Sequence, residues 1–215
     1  MCLPLLSFRQ KPRYLTEAQL LFTDFMPMTP LPSLCVFCGA RLGHLAAYPT
    51  AATELGQLIA ARGWRLVYGA GDVGLMGEVA RAAQAAGAIT LGVIPTHLLA
   101  MEVGKRDLST LIITENMHER KKVMFMNSDA IAVLPGGAGS LDEFFEVLTW
   151  AQIGLHRKPI YLLNIEGYWS PLIALLDHIV AQGFAAPTLR DHFTVLPDVA
   201  ALGAILARTG QDRRA

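Results

Sequence analysis

From Ser33 onward, short runs rich in Val, Ile and Leu alternate with longer segments of helical period, and several of the short runs are apolar at every position. Ala130-Ile131-Ala132-Val133-Leu134 is the clearest of them. A strand without a polar face must be covered on both sides, and a parallel sheet does this by packing its crossover helices against each face. The expected strands are 34–38, 65–68, 89–94, 111–114, 130–134 and 160–163, with a short one at 193–196. The expected helices are 48–62, 75–86, 117–127, 140–152, 168–182 and 199–208. This grammar predicts an α/β chain: a Rossmann-like three-layer sandwich with a mainly parallel central sheet of six or seven strands, built by residues 31–215 as one nucleotide-binding domain. Residues 1–30 break the pattern with Pro4, Pro12, Pro27 and Pro30 and read as a poorly ordered N-terminal extension.

Right-handed crossovers bring every strand-to-helix loop to one edge of such a sheet, where ligands of open α/β folds bind. Three of these loops are made of small residues: Cys38-Gly39-Ala40, Gly69 to Gly74, and Pro135 to Ser140. Gly69-Ala70-Gly71-Asp72-Val73-Gly74 has the form G-x-G-x-x-G. A dinucleotide site also needs an acidic residue about 20 positions on to hold the ribose. None occurs between Glu78 and Glu102, so a phosphate or ribose contact, or a tight turn, are the better readings. Pro135-Gly136-Gly137-Ala138-Gly139-Ser140 joins a buried strand to a helix expected to start at Ser140, with unpaired N–H groups at its N-terminus. Free amides and the positive end of the helix dipole suit a phosphate. The loop lacks the Lys-Ser/Thr ending of a nucleoside triphosphatase.

Glu143 admits two readings. Ser140-Leu141-Asp142-Glu143 has the spacing of a capping box, in which Glu143 bonds back to the Ser140 amide. Alternatively, a carboxylate beside a phosphate cradle serves chemistry, for example by steadying an oxocarbenium-like transition state. The cluster His118-Glu119-Arg120-Lys121-Lys122 is also ambiguous: such a run is usually a solvated face, yet its place after the fourth strand lets Arg120 reach a phosphate or base.

Composition narrows the function classes. Of 215 residues 53% are hydrophobic, and 18 basic side chains balance 18 acidic ones, so no bulk field draws the chain to nucleic acid or a membrane surface. Residues 82–101 are uncharged over a length that spans a bilayer, but Gly87, Gly92 and Pro95 split them into helix-like and strand-like halves. Three cysteines are too few for a disulfide framework, and the chain reads as cytoplasmic. Cys35 and Cys38 form a C-x-x-C in a strand, where positions three apart face opposite sides, and the histidines show no zinc spacing. No metal and no cofactor are expected.

The chain resembles the Lonely Guy family of cytokinin-activating phosphoribohydrolases, which also carries the label lysine decarboxylase. The resemblance runs from about Ser33 to Leu176. It rests on Cys35-Val36-Phe37-Cys38-Gly39, Gly74-Leu75-Met76-Gly77, Met117 to Lys121, Pro135 to Glu143, Trp150 to Gly154 and Lys158-Pro159-Ile160. It implies a Rossmann-like homodimer that hydrolyses the N-glycosidic bond of a nucleoside 5′-monophosphate, such as a cytokinin riboside monophosphate or adenosine monophosphate, to a free base and ribose 5-phosphate. On matching positions it makes Arg120 and Glu143 the catalytic pair. Gly136, Gly137, Gly139 and Ser140 then hold the phosphate, with Gly71 and Gly74 as further phosphate or ribose contacts. Met117, Lys121 and Glu78 are the candidates for contacting the base or supporting the pair.

Ser140 stands where the family has Thr, which keeps the hydroxyl. Ala40 replaces a Ser and Ala70 a Gly, so a phosphate or ribose hydrogen bond is expected to be missing at these loops. A lysine decarboxylase needs a Lys Schiff base to pyridoxal phosphate, and none of Lys11, Lys105, Lys121, Lys122 and Lys158 sits in a recognisable cofactor motif. The rival from another class is a non-enzymatic nucleotide-binding or molybdenum-cofactor carrier protein of the same fold, which binds at these loops without turnover.

Overall fold

The computed structural model describes residues 31–99 and 107–212, all of them within one compact unit spanning Leu31–Ala215. The extension expected at residues 1–30 lies outside the described residues. Seven strands form one sheet: β1 (Ser33–Phe37), β2 (Arg65–Tyr68), β3 (Thr90–Pro95), β4 (Thr110–Thr114), β5 (Ala130–Val133), β6 (Ile160–Leu163) and β7 (Thr194–Leu196). Their order is β4-β3-β2-β1-β5-β6-β7, and every neighbouring pair is parallel. The expected mainly parallel α/β sandwich is therefore observed, with all seven strands in place.

Strand alternation builds two cores, one on each face. From β1 and the residue after it, Leu34, Val36 and Cys38 enter one core, whereas Cys35 and Phe37 enter the other; β5 divides in the same way, with Ala130 and Ala132 opposite Ile131 and Val133. The first core is closed by α1 (Ala47–Ala61), α2 (Gly74–Ala85) and α7 (Val199–Asp212), the second by α4 (Met117–Met126), α5 (Ala138–Gln152) and α6 (Ser170–Ala181). A short α3 (Thr96–Leu99) and two 3₁₀ turns, Ile165–Gly167 and Pro187–His192, have no counterpart in the expected elements.

The chain runs outward from β1 to β4, then crosses to the other side of β1 for β5 to β7. The strand order thus reverses between β1 and β5, and the loops leaving these two strands diverge to opposite faces. Such a switch point leaves a crevice at the carboxyl edge. Gly39 N–H donates to Pro135 O at 3.0 Å, joining the two loops at its base.

Two helix starts differ from expectation by two residues, and both lie at this edge. α5 begins at Ala138, with Gly137 as N-cap in extended geometry (φ −93°, ψ −154°) and no capping side chain. Ser140 therefore sits inside the first turn, and the capping-box reading of Ser140 and Glu143 does not hold. α6 begins at Ser170 instead of Tyr168, because Glu166 (φ 51°) and Gly167 (φ 72°) take left-handed conformations that end the preceding turn.

Candidate active site

A cavity of about 460 Å³ opens at the switch point, within the size range of small-molecule sites. The loop after β5 supplies Pro135, Gly136 and Gly137, and the start of α5 supplies Gly139, Ser140, Asp142 and Glu143. Gly136 is required by close approach: a Cβ there would lie 2.1 Å from Ser140 Oγ and 3.0 Å from Gly39 N. At Gly137 and Gly139 a Cβ would meet nothing within 4 Å, so these backbones are open above. The first-turn amides of α5 have no intrahelical acceptor by construction, and they border the cavity.

Glu143 lies just over one helical turn beyond Gly139, and its carboxylate has no hydrogen bond or ion pair among the described residues. Burial pushes its pKa up to about 7; the Arg120 guanidinium opposes that rise, and Asp142 adds to it. The group is thus poised between its charged and neutral forms near neutral pH, as proton-transferring carboxylates are.

Arg120 comes from α4. That helix is capped by Asn116, whose side chain accepts from Glu119 N at 2.9 Å, while Glu119 Oε2 accepts from Glu115 N at 3.0 Å. Glu119 therefore serves the cap, and Arg120 follows it one residue on. The solvated-face reading fails for Arg120 and Lys121, which are 5% and 7% exposed. Arg120 Nε donates to Val93 O at 3.1 Å and Nη2 to Gly69 O at 2.7 Å. These two carbonyls, one within β3 and one just past the end of β2, fix the guanidinium at the cavity wall, where Met117 lies beside it.

The other candidates lie outside this lining. Lys121 Nζ bridges to α5 instead, meeting Asp142 Oδ2 at 2.9 Å and Glu146 Oε2 at 3.3 Å. Glu78 pairs with Arg81 at 2.8 Å, in a separate groove between α1 and α2. Gly71 does not line the cavity. Gly74 packs behind it in left-handed geometry (φ 57°), where a Cβ would stand 2.2 Å from the Ala40 carbonyl carbon. The G-x-G-x-x-G loop therefore serves packing: Gly69 leaves room for Arg120, and Gly74 lets the loop after β1 pass.

The two departures from the family pattern separate as well. Ala40 lines the cavity and offers only a methyl group. Ala70 is fully buried away from the lining, at φ 60°. Its cost is backbone strain, on the order of 1 kcal/mol, and not a lost hydrogen bond to a ligand.

Met76, from the Gly74-to-Gly77 motif, also lines the cavity, together with three residues that the sequence pattern did not single out: Arg41, Tyr48 and Tyr168. Tyr168 OH donates to Gly136 O at 2.6 Å. No local periodicity marks these side chains; their common position after strand ends is the one signal in the sequence.

Comparison with known proteins bears on the family and the fold. A family profile described as "Possible lysine decarboxylase" matches residues 76–206. A probable cytokinin riboside 5′-monophosphate phosphoribohydrolase of Oryza sativa subsp. japonica is 47% identical over 169 residues, covering 79% of this chain and 74% of that protein. The chain belongs to the Lonely Guy family. A cytokinin riboside 5′-monophosphate phosphoribohydrolase of Arabidopsis thaliana is 41% identical over 174 residues, covering 81% of each chain. Among solved structures, the molybdenum cofactor binding protein from Rippkaea orientalis superimposes with a TM-score of 0.63 at 22% identity, covering 84% of this chain and 98% of that one. At that identity the likeness concerns the fold alone. Of the segments that carry the resemblance, those at Cys38-Gly39, Leu75-Met76, Met117 to Arg120 and Pro135 to Glu143 contribute to the cavity lining. Burial holds the Cys38 thiol well above its usual pKa, with Glu143 adding to the rise, so it stands there as an apolar wall and not as a nucleophile.

Proposed function

We propose that this chain hydrolyses the N-glycosidic bond of a nucleoside 5′-monophosphate. The observation that carries the reading is the convergence of Glu143 and Arg120 on one cavity whose rim is the row of free amides from Gly137 to Ser140. The names of the rice and Arabidopsis relatives support it. In this account the 5′-phosphate rests on the amides and Ser140, which places the ribose C1′ farther along α5, beside Glu143. The carboxylate, in its ionised form, orients a water molecule and steadies the positive charge that builds on the ribose as the C1′–N bond breaks. Water oxygen bonds to C1′, the bonding pair leaves with the base nitrogen, and the proton released by water is delivered to the departing base. Arg120, locked by Val93 O and Gly69 O, holds the phosphate or stabilises the base as it leaves. Met117, Met76 and Tyr48 offer apolar surface for the base.

Release of free base from adenosine monophosphate, or from an N6-substituted analogue, tests the reading. A carrier protein of this fold would bind the nucleotide and release nothing. The same reading takes the working form as a homodimer in a reducing, cytoplasmic setting. Support comes from the family resemblance and from the free thiols of Cys35 and Cys38. Among the described residues, no helix is long and apolar enough to cross a membrane.

A further inference from the structure

Gly136 O and Gly137 N belong to one peptide unit, and in a trans peptide the carbonyl and the N–H point in opposite directions. Whatever holds the Gly136 carbonyl therefore aims the Gly137 N–H. Tyr168 OH holds it, at 2.6 Å. The tyrosine is itself fixed from two sides. Its ring meets the Tyr48 ring edge-on at 5.5 Å and the Trp169 ring at 4.7 Å. Trp169 N–H donates to Asn164 Oδ1 at 2.6 Å, and Asn164 N–H donates to Leu196 O at 2.7 Å, which ties the turn after β6 to β7. Tyr48 in turn covers Gly43, where a Cβ would lie 2.6 Å from its Cδ2. The loops after β1, β5 and β6 are thus linked through two tyrosines at the mouth of one cavity.

We infer that Tyr168 is a positioning residue for phosphate: its hydroxyl orients and polarises the Gly136–Gly137 peptide so that the Gly137 N–H is presented to the 5′-phosphate. Hydrogen bonding to the carbonyl also strengthens the N–H on the other side of the same peptide as a donor. The inference rests on the phosphoribohydrolase reading, because it assigns phosphate to that loop. It adds a residue from β6–α6 that none of the matched motifs contains, and it makes the phosphate cradle a product of two loops instead of one.

Tyr168→Phe in the full chain tests this, since the ring contacts with Tyr48 and Trp169 stay while the hydroxyl goes. Three readouts are needed: ribose 5-phosphate binding by calorimetry, steady-state kinetics with adenosine monophosphate and with adenosine, and melting temperature. The expected result is ribose 5-phosphate affinity weaker by about three- to tenfold, KM for the monophosphate raised by a similar factor, and kcat within about twofold. Adenosine, which lacks phosphate, is expected to show unchanged kcat/KM. Unchanged ribose 5-phosphate affinity overturns the inference, as does an equal loss for adenosine and its monophosphate or a lowered melting temperature without a phosphate-selective effect. If the wild type binds ribose 5-phosphate but releases no base, the hydrolase reading fails and the calorimetry still decides on Tyr168. A wild type that neither binds ribose 5-phosphate nor releases base overturns both.

Discussion

Arg120 and Glu143 face one cavity without forming an ion pair, because two carbonyls hold the guanidinium while the carboxylate is left unpartnered. Had the two closed on each other, the guanidinium would have pulled the carboxyl below its ordinary range. Burial instead outweighs Arg120, and Glu143 is raised from 4.5 to about 7.

That shift has a signed consequence for stability. A carboxyl with a folded-state pKa above its unfolded value binds more protons in the folded state, so its contribution is full below about 4.5 and is lost as pH rises through about 7. Glu143→Gln carries no such titration. Relative to the wild type, this variant is expected to gain on the order of 1 to 3 kcal/mol between pH 4.5 and pH 8. Chemical denaturation at the two pH values checks it; parallel pH dependence in the two proteins would show that Glu143 is not shifted.

The same ionisation governs turnover. If the charged carboxylate steadies the ribose, kcat/KM rises with pH and levels off above about 7. A profile flat from pH 5 to 8 contradicts this role.

Arg120→Lys keeps a positive charge but cannot serve both Val93 O and Gly69 O and still direct a nitrogen into the cavity. We expect kcat/KM to fall by about a hundredfold or more, together with a lower melting temperature from the freed carbonyls. Near-normal kcat would return Arg120 to a purely structural role.

The loop glycines separate folding from binding. Gly136→Ala drives a methyl into Ser140 and is expected to cost about 1 to 3 kcal/mol. Gly137→Ala meets open space, so its melting temperature is expected to hold while the methyl crowds the phosphate position and KM rises. Thermal melts and steady-state kinetics on the two variants check the contrast; equal destabilisation by both would contradict the open rim.

Strand positions were legible in the sequence because residues such as Ala130 to Leu134 must be apolar on both faces, a demand that survives whatever packs around them. Helix starts at the carboxyl edge were less so. Ser140 and Glu143 have the spacing of a cap, but the extended backbone at Gly137 lets the helix begin two residues earlier. The burial of Arg120 and Lys121 could not be read locally, since their partners Gly69, Val93 and Asp142 come from distant segments. Tyr168 has the look of a helix start, and only the left-handed turn at Glu166 reveals that it precedes the helix and faces Gly136.

The most direct test of the central claim measures base release from a nucleoside 5′-monophosphate and melting temperature on one preparation of Glu143→Gln at pH 7 to 8. Gln fills the same space and removes only the charge. The account predicts a melting temperature no lower than that of the wild type and a rate reduced by about a hundredfold or more. Wild-type turnover in a variant with an unaltered melt would contradict it.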